Sequence, residues 1–587
     1  MKILTKYLIP YRIGLAVTIF LLLGQALSEL LLPTLMSVII NEGIVRGVAE
    51  GTPQTTFILR TGALMLFVAL IAGIASVCAG YIAPRIAAGA ARDLRRDLFV
   101  KVESFSQSEF DKYSSASLIT RCTNDVMQVQ GLANVAMRLL VFAPLMGVGG
   151  VVMALSQSVS MSWIIALAVI VLLGLVAVLV AIATPKFKAM QNMVDTLNRV
   201  SRELLHGLMV IRAFGTQNHE MSRFDRTNSE LRDVGIFVGR VMAVIFPAIT
   251  LIMAGTQILV IWVGAHHIAG SGLQIGDMMA FMQYAAQVIF AFMMISMVLV
   301  MVPRALVSAG RIVEVLETEL TLTDPAIPKE FSDSAQNGMV VFDNVSFRYP
   351  NAETDIIDGV SFTALPGQTT AIIGATGAGK STIAQLTLRF YDVSSGSIIV
   401  NGLDVRQVRQ ADLRQRIGYV PQKGQLLSGT IASNIRYGRM AATDAEVKEA
   451  AKVAQALDFI QDKEGGFESE IVQGGGNVSG GQCQRLSIAR ALAKAPKILV
   501  FDDSFSALDN QTDANLREAL KQHTESATVI VIAQRVGTIM DAEQILVLDK
   551  GKVIDRGTHD ELLAACPTYR EIAASQDIGE TSGVGNG

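Results

Sequence analysis

The sequence predicts a membrane α-helical bundle of six transmembrane helices with long cytoplasmic extensions, followed by an α/β domain built around a phosphate-binding loop. Long runs of Leu, Ile, Val, Ala, Met and Phe recur between residues 14 and 310, whereas residues 320–587 have an ordinary soluble composition. Over the whole chain 51% of residues are apolar and 17% are charged, against about 25% charged in typical globular domains. From Met339 onward, short β-branched strands alternate with helical patterns, which is typical of an α/β domain.

Six stretches are long and apolar enough to cross a membrane, which takes about 20 mainly apolar helical residues. They lie near residues 13–40, 57–83, 133–156, 161–184, 238–263 and 276–302. Segments three and four are separated only by the polar stretch Ser156–Ser160, which predicts a tight hairpin. Six crossings return the chain to the side of the membrane on which it began.

The distribution of Lys and Arg assigns that side to the cytoplasm. The connections between segments two and three and between segments four and five are rich in basic residues, whereas Ser156–Ser160 and Gly264–Gly276 contain none. Because basic loops stay in the cytoplasm, the N-terminus, both long connections and the second half are predicted to be cytoplasmic. We expect a multi-pass protein of the cytoplasmic (plasma) membrane, with a bacterial source. The net charge of −3 gives no reason to expect a nucleic-acid partner.

Both long connections are amphipathic and contain few helix breakers, so they are predicted to be cytoplasmic extensions of the membrane helices. The chain is expected to reverse direction at Phe110–Arg121 and at Arg212–Glu220. The domain organisation predicted from these patterns is a transmembrane domain over 1–316, a proline-broken linker over 317–338, an α/β domain over 339–575 and a disordered tail over 576–587.

A few polar and methionine side chains inside the membrane half are candidates for a substrate cavity. An ionisable residue within a membrane helix is costly and usually faces a cavity or a partner, and methionine adapts to varied apolar shapes. Glu29 has a structural alternative, namely a hydrogen bond near the outer boundary of the membrane, and the methionines have the alternative of adaptable helix packing. The candidates are Gln25, Glu29, Gln283, Gln287, Met293 and Met297.

The phosphate-binding loop is Gly374–Ser381, and its context makes the motif specific. It follows the strand-like Thr369–Ile373 and precedes a helical pattern, as such loops require. Its glycines allow backbone N–H groups to surround phosphates at a helix N-terminus. Lys380 is expected to neutralise phosphate charge, and Ser381 is expected to bind Mg²⁺.

Further patterns downstream complete a nucleotide site except at two positions. Val478–Gln482 is a second nucleotide-contacting motif, and Ile498–Asp502 is an apolar strand that ends in a carboxylate. Nucleotide sites of this kind normally carry Glu directly after that strand, but this chain has Asp503 there. They normally carry a histidine further on, but this chain has Gln534. The chain is therefore predicted to hold ATP but to be poorly equipped to hydrolyse it alone.

In this order and spacing the motifs resemble those of a half-transporter of the ABC exporter family, from the N-terminal helix to about residue 575. The resemblance implies that ATP and Mg²⁺ are the cofactors and that Tyr349 stacks on adenine. It also implies that Gln422 senses Mg²⁺ and the attacking water, and that Asp502 is the aspartate associated with the metal. The implied ATP-binding residues are Tyr349, Gly374, Ala375, Thr376, Gly377, Ala378, Gly379, Lys380, Ser381 and Thr382, and the implied Mg²⁺ residues are Ser381, Gln422 and Asp502.

In this family two nucleotide-binding domains pair head to tail, so each ATP lies between the phosphate loop of one subunit and the signature motif of the other. The signature here is Val478, Ser479, Gly480, Gly481 and Gln482, and the loop that crosses to the partner site is Ser506, Ala507, Leu508 and Asp509. Phe110–Arg121 and Arg212–Glu220 resemble the regions that contain the two coupling helices. The signature begins with Val instead of Leu, which leaves its serine and glycines intact.

The departures at Asp503 and Gln534 bear on catalysis. Asp503 is one methylene shorter than Glu, and Gln534 cannot become cationic as histidine can. With Gln422 these residues form the expected catalytic set. Two changes of this kind resemble the degenerate-site subunit of heterodimeric multidrug ABC exporters, which move amphipathic or apolar compounds. A second half-transporter subunit, membrane lipid and an apolar or amphipathic small molecule are the expected partners.

Three alternatives remain open from the residues. The chain could form a homodimer with slow ATPase activity that exports or flips a lipid or a peptide. It could be a nucleotide-gated regulatory protein with little hydrolysis. It could also be an importer, although fusion of the membrane and nucleotide domains argues against most importers.

Overall fold

The computed structural model describes residues 2–51, 54–270, 273–331, 338–350 and 352–576. The predicted disordered tail lies almost entirely outside these residues. The chain divides into two compact units. One comprises Met1–Glu103 and Ser115–Thr318, and the other comprises Ser104–Ser114 and Glu319–Gly587. The short segment Ser104–Ser114, which the sequence placed within 1–316, thus groups with the second half of the chain.

The first unit is helical. Its helices, together with α5 of the second unit, are α1 (Lys2–Leu8), α2 (Arg12–Val38), α3 (Arg46–Ala49), α4 (Thr55–Glu103), α5 (Gln107–Lys112), α6 (Ser115–Thr120), α7 (Val126–Gln157), α8 (Ser162–His206), α9 (Leu208–Phe214), α10 (Gln217–Ala243), α11 (Ile245–Ala269) and α12 (Ile275–Leu316). Within the described residues, six helical stretches are long and apolar enough to cross a membrane: Thr5–Ala49, Thr55–Glu103, Ser115–Gln157, Val159–His206, Gln217–Ala269 and Ile275–Leu316. Each contains one of the six segments predicted from sequence, and most continue beyond it, which confirms the predicted class of helical bundle.

Small residues determine how closely the central membrane helices approach. A Cβ atom on Gly150 of α7 would lie 2.8 Å from Cγ2 of Val288 on α12. Ala143 and Ala154 on α7 and Ala291 on α12 are also buried. In lipid, where apolar side chains gain little by leaving the solvent, close van der Waals packing of this kind holds helices together.

The second unit is an α/β domain. Its strands are β1 (Val340–Phe347), β2 (Ile357–Ala364), β3 (Thr369–Gly374), β4 (Ser395–Val400), β5 (Leu403–Asp404), β6 (Ile417–Val420), β7 (Gly429–Thr430), β8 (Glu470–Ile471), β9 (Ile498–Asp502), β10 (Thr528–Ile532), β11 (Gln544–Asp549) and β12 (Lys552–Gly557). Its remaining helices are α13 (Lys380–Thr387), α14 (Gln410–Arg416), α15 (Ile431–Arg436), α16 (Asp444–Val453), α17 (Leu457–Gln461), α18 (Gly480–Ala493), α19 (Asn510–His523), α20 (His559–Ala565) and α21 (Pro567–Ala574). In the described residues these strands form one sheet in the order β2-β1-β4-β5, one in the order β12-β11-β3-β10-β9-β6, and the small pair β7-β8.

The larger sheet is buried on both faces. Leu499 and Phe501 of β9 belong to one apolar core, whereas Ile498 and Val500 belong to another. Successive side chains of a strand point to opposite faces, and a parallel sheet covered on both faces needs a continuous apolar run. The sequence Ile498–Asp502 meets that need, and all five of its residues are buried.

The order of the parallel strands positions the candidate site. Strands β3, β10, β9 and β6 are neighbours and run parallel. In their register, Ile532 of β10 lies beside both Ile372 of β3 and Asp502 of β9. The segments that follow the four strands therefore leave from one edge of the sheet, where ligands of α/β proteins usually bind.

Candidate nucleotide site at the carboxyl edge of the sheet

The phosphate-binding loop connects β3 to α13 and requires glycine at its two ends. A Cβ atom on Gly374 would collide with the carbonyl oxygen of Leu548 in β11. Gly379 has φ 96°, and a Cβ atom there would lie 2.6 Å from Cδ1 of Ile357. Only glycine fits both the left-handed conformation and the close approach. The predicted loop therefore has a steric cause in the strands that pack against it.

Lys380, the first residue of α13, is folded back over this loop. Its Nζ donates to the carbonyl oxygens of Gly374 and Ala375 at 2.8 and 2.9 Å. Burial lowers the pKa of the Lys380 ammonium, and the carboxylates of Asp503 and Asp502 oppose that shift. The loop thus encloses a buried positive charge, which is suited to a polyphosphate.

Asp502 ends β9 and meets the next residue of α13. The hydroxyl of Ser381 donates to Oδ1 of Asp502 at 2.7 Å, and the hydroxyl of Tyr419 donates to Oδ2 at 3.4 Å. Burial raises the pKa of the Asp502 carboxyl, against the hydrogen bonds from Ser381 and Tyr419. A hydroxyl and a carboxylate side by side are the hard oxygen ligands that Mg²⁺ prefers, so these two predicted ligands fit the ion.

Asp503 receives both amide side chains that were predicted to act in catalysis. Nε2 of Gln422 donates to Oδ2 of Asp503 at 2.9 Å, and Nε2 of Gln534 donates to the same oxygen at 2.8 Å. A carboxylate oxygen has two lone pairs, so while both amides are in place this oxygen cannot accept a proton from water. The backbone of Asp503 has φ 48°, a left-handed conformation that aspartate tolerates better than most residues.

The family models and the relatives agree on what this chain is similar to. The model described as "ABC transporter transmembrane region" matches residues 15–292, and the model described as "ABC transporter" matches residues 357–506. An uncharacterized ABC transporter ATP-binding protein of Mycobacterium tuberculosis is 40% identical over 586 residues, which is 99% of each chain. One from Bacillus subtilis is 36% identical, covering 97% of this chain and 98% of the relative.

The chain belongs to the ABC transporter family. An ATP-dependent lipid A-core flippase of Pseudomonas fluorescens is 32% identical, covering 87% of this chain and 84% of the relative. The solved structure of a bacterial Atm1-family ABC exporter with ATP bound matches with a TM-score of 0.78 and 26% identity, covering 96% of this chain and 98% of that one. This ABC protein is an exporter half-transporter with an ATPase domain. It is a multi-pass protein of the bacterial plasma membrane, and its nucleotide-binding domain is cytoplasmic.

The signature motif of this ABC half-transporter caps helix α18. The hydroxyl of Ser479 accepts from the backbone N–H of Gln482, and the Gln482 side chain accepts from the N–H of Ser479. Ser479 and Gly480 are exposed, whereas Val478 packs against the core. The motif therefore presents an open helix N-terminus, which favours anions. The aliphatic side chain that replaces the usual leucine keeps a packing role.

The crossing loop Ser506–Asp509 contacts both Asp503 and the signature motif. The hydroxyl of Ser506 donates to the backbone oxygen of Asp503 at 2.9 Å, and Asp509 caps α19 by accepting from Thr512. Leu508 is buried, whereas Ala507 is exposed and its carbonyl oxygen would lie 3.2 Å from a Cβ atom on Gly481. Among the described residues, no hydrogen bond joins the signature to the phosphate-binding loop.

The predicted adenine-stacking Tyr349 makes other contacts in this structure. Its hydroxyl donates to Oε1 of Gln385 at 3.2 Å and lies 3.1 Å from Oγ1 of Thr382. Its ring packs edge-on against Tyr391 with 5.2 Å between centroids. The hydroxyl of Tyr391 donates to Oδ2 of Asp111 in α5 at 2.7 Å. A chain of contacts thus runs from the phosphate helix to the segment expected to contain a coupling helix.

Three contributors to this region were not assigned from the sequence: Tyr419, Tyr391 and Gln576. Tyr419 lies on β6, two residues before Pro421 and three before Gln422, so its nearness to Gln422 in sequence was the available signal. Tyr391 and Gln576 act across long stretches of chain, and no local pattern indicates their partners.

The membrane candidates lie partly together. Nε2 of Gln25 donates to Oε1 of Glu29 at 2.9 Å on the same helix, and Nε2 of Gln287 donates to the backbone oxygen of Glu29 at 3.3 Å. Gln283 is exposed and Met293 is half-buried. The side chain of Met297 lies outside the described part of the chain. The Glu29 side chain thus accepts a hydrogen bond within α2, and its backbone oxygen accepts one from α12. The cavity role of these residues stays a prediction.

Proposed function

We propose that this chain is the weak-site subunit of a heterodimeric ABC exporter that moves amphipathic or apolar compounds out of the cytoplasm. The observation that carries the proposal is the pair of amide hydrogen bonds on Oδ2 of Asp503. They hold a shortened carboxylate at the position of the general base and leave no lone pair on that oxygen for water.

The chemistry of the two substituted residues supports slow hydrolysis at the site built on Lys380 and Asp502. General-base assistance is worth about 10²–10⁴-fold in rate. While both amides bond to Oδ2, Asp503 would have to supply it through its other oxygen, Oδ1, on a side chain one methylene shorter than Glu. Gln534 can donate to a γ-phosphate but carries no positive charge to stabilise the charge that develops on it. ATP and Mg²⁺ would bind here and hold the two nucleotide domains together.

The signature motif supports hydrolysis of the ATP that is bound to the partner's phosphate-binding loop. Ser479 and the exposed N-terminus of α18 supply the groups that an ATP on the opposite subunit would contact. A partner that carries Glu and His at the positions of Asp503 and Gln534 would therefore hydrolyse its ATP against this chain. Productive turnover would come from one of the two sites.

A homodimeric lipid exporter is the second candidate. Relatives named as lipid A-core flippases, at 32% identity over 87% of this chain, favour it. The predicted cavity residues Glu29 and Gln287 would then contact a lipid headgroup. In this case the chain alone would hydrolyse ATP, and its ATPase activity would rise with added lipid.

The experiment that separates these functions is an ATPase assay of the purified chain in lipid, alone and after co-expression with the half-transporter encoded by a neighbouring gene. We expect negligible activity alone and strong activity with the partner. Replacement of the partner's catalytic Glu by Gln should abolish that activity, whereas Asp503→Asn in this chain should leave most of it. Vigorous activity of this chain alone would contradict the heterodimer and favour the homodimer.

Transport in inverted membrane vesicles tests the direction. ATP added outside such vesicles reaches the nucleotide-binding domains, so an exporter accumulates a fluorescent amphipathic compound inside them. Release of a preloaded compound toward the ATP side would contradict export.

A further inference from the structure

Gln576 joins the chain immediately after the last helix to the loop that carries Gln534. Oε1 of Gln576 accepts a hydrogen bond from the backbone N–H of Val536 at 2.8 Å. Nε2 of the same side chain donates to the backbone oxygen of Gln534 at 2.8 Å. The amide of Gln576 thus binds the backbone acceptor just before Arg535 and the backbone donor just after it.

The helix that precedes Gln576 is anchored in the core. Tyr569 and Ala573 of α21 are buried, at 0% and 3% exposure. The hydroxyl of Tyr569 lies 2.8 Å from Nδ1 of His559, at the start of α20. The anchored helix restricts the backbone that leads to Gln576, and the two hydrogen bonds offset the rotamer entropy that its side chain loses, so Gln576 can support the loop.

The loop that Gln576 holds has little support of its own at its exposed end. Ala533, the last residue anchored to the sheet, donates its backbone N–H to Ile372. Gln534 and Arg535 are exposed, and Val536 returns to the core. The side chain of Gln534 nevertheless reaches Oδ2 of Asp503 at 2.8 Å. Its direction depends on the backbone of Gln534 and of the residues that follow it, and Gln576 binds the backbone oxygen of Gln534 and the backbone N–H of Val536.

We propose that Gln576 is a positioning residue that holds Gln534 toward the γ-phosphate and so sets how strongly this site prefers ATP to ADP. This inference rests on the proposed role of Gln534 at the γ-phosphate. The two hydrogen bonds of the Gln576 side chain go to the backbone of the loop. Gln576 fixes the backbone from which Gln534 donates, and without it the loop adopts orientations in which that amide points away.

The ratio of ATP affinity to ADP affinity distinguishes this role from a merely structural one. ADP lacks the γ-phosphate, so its affinity depends on Lys380, on the phosphate loop and on the adenine contact. A general loss of folding lowers both affinities together. Loss of positioning at Gln534 lowers the affinity for ATP alone.

The test uses the full chain assembled with its partner in lipid. The complex is photolabelled with 8-azido-ATP, and gel electrophoresis then separates the label on this chain from the label on the partner. Competition with ATP and with ADP gives both affinities at this site. Gln576→Met removes both hydrogen bonds and keeps the length of the side chain. Ser575→Ala is the matched control, because the Ser575 hydroxyl donates to the backbone oxygen of Ile572 in α21 and makes no hydrogen bond to the Gln534 loop within the described part of the chain.

We expect Gln576→Met to lower the preference for ATP over ADP by about fivefold, the size of one net hydrogen bond, with ADP affinity unchanged. Ser575→Ala and truncation after Gln576 should leave the preference intact. In a Gln534→Ala background, Gln576→Met should have no further effect, because the two residues act as one unit.

Two results would overturn the inference, and they differ. If Gln534→Ala lowers the preference for ATP but Gln576→Met does not, Gln576 does not position the loop. If Gln534→Ala itself leaves the preference unchanged, Gln534 does not contact the γ-phosphate, and the proposed role of this residue fails with the inference.

Discussion

Asp503 adopts a backbone conformation that suits its side chain. The residue after β9 has φ 48°, and aspartate occupies this left-handed region several times more often than most residues. Its backbone N–H donates to Ile532 of β10 at 2.8 Å, which fixes the turn. The short carboxylate then lies where Gln422 and Gln534 both reach it. Aspartate and glutamine at these two positions are therefore mutually consistent, and we expect them to act as a pair.

That coupling predicts the outcome of restoring the usual residues. Asp503→Glu combined with Gln534→His should raise ATP hydrolysis at this site by about 10²-fold, the lower range for general-base assistance. Either change alone should give much less, because Asp503→Glu alone leaves Gln534 on the carboxylate and Gln534→His alone leaves the carboxylate one methylene short. The measurement is phosphate release from the assembled transporter whose partner carries Gln in place of its catalytic Glu.

The control for this prediction is Asp555→Glu, which makes the same chemical change on strand β12, away from the site. It should leave phosphate release unchanged. An unchanged rate in the double variant would mean that residues other than Asp503 and Gln534 limit hydrolysis here.

At this scale the sequence predicted residues that the structure places in contact, Ser381 with Asp502 and Gln422 with Asp503, but it did not predict the hydrogen bonds between them. Gly374–Ser381, Gln422 and Asp502 belong to motifs that have fixed places in an α/β sheet. The structure brings these residues to one edge of the sheet. The hydrogen bond from Gln534 to Asp503 spans 31 positions of the sequence, and the hydrogen bond from Gln576 to Gln534 spans 42. Both depend on the directions of side chains. No local pattern encodes contacts of that range.

Among the elements, helices α7 and α12 show how glycine sets a membrane contact. Gly150 faces Val288, whereas a Cβ atom on Gly131 of the same helix would meet nothing within 4 Å. The two positions therefore differ in packing while they share a helix and a residue type. Apolar composition predicted both helices, but the choice of which glycine is packed needed the structure.

Substitution of these two glycines by alanine should have different effects on stability. Gly150→Ala should lower the free energy of unfolding by about 1 kcal/mol because the neighbouring Val288 must shift. Gly131→Ala should leave it unchanged or raise it by up to about 1 kcal/mol through helix propensity. Thermal unfolding in detergent measures both, and equal effects would contradict the packing argument.

The short helix α5 is held to the nucleotide-binding unit by its own side chains. Oδ2 of Asp111 accepts from Tyr391, and Oε1 of Glu109 accepts from the backbone N–H of Thr321 at 2.8 Å. Burial, followed by the hydrogen bond to Asp111, raises the pKa of the Tyr391 hydroxyl. The sequence placed a reversal at Phe110–Arg121, but the grouping of Ser104–Ser114 with the second unit depends on these distant partners.

Tyr391→Phe should loosen α5 without disturbing the aromatic packing on Tyr349. A hydrogen bond to a charged group is worth about 1.5–3 kcal/mol, so the open population should rise by at least about tenfold. Trypsin cleavage after Lys112 should accelerate in proportion, since proteolysis follows the open population when reclosing is fast. The control is Tyr437→Phe, the same change on an exposed tyrosine. Equal cleavage rates in both variants would show that the Asp111 contact does not hold the helix.

For the whole molecule, the proposed arrangement means that the phosphate-binding loop and the signature motif of this chain contribute to two different ATP sites. In that arrangement Lys380 and Asp502 would belong to the site with weak hydrolysis, and Ser479 would belong to the site completed on the partner. The sequence already contained this asymmetry, because the signature is intact while two hydrolytic positions are changed. In a homodimer both sites would be equally weak, and no substitution could affect one without the other.

A pair of substitutions therefore tests the asymmetry directly. Ser479→Arg places a bulky cation at the exposed start of α18 and should reduce ATPase activity of the assembled transporter to background. Photolabelling of this chain by 8-azido-ATP should persist, because its own phosphate loop is untouched. Lys380→Ala should do the reverse, with label lost from this chain and much of the activity retained. If Ser479→Arg left the activity intact, the partner's ATP would not be hydrolysed against this signature. If Lys380→Ala abolished activity as fully as Ser479→Arg, the site on this chain would be required for turnover in its own right.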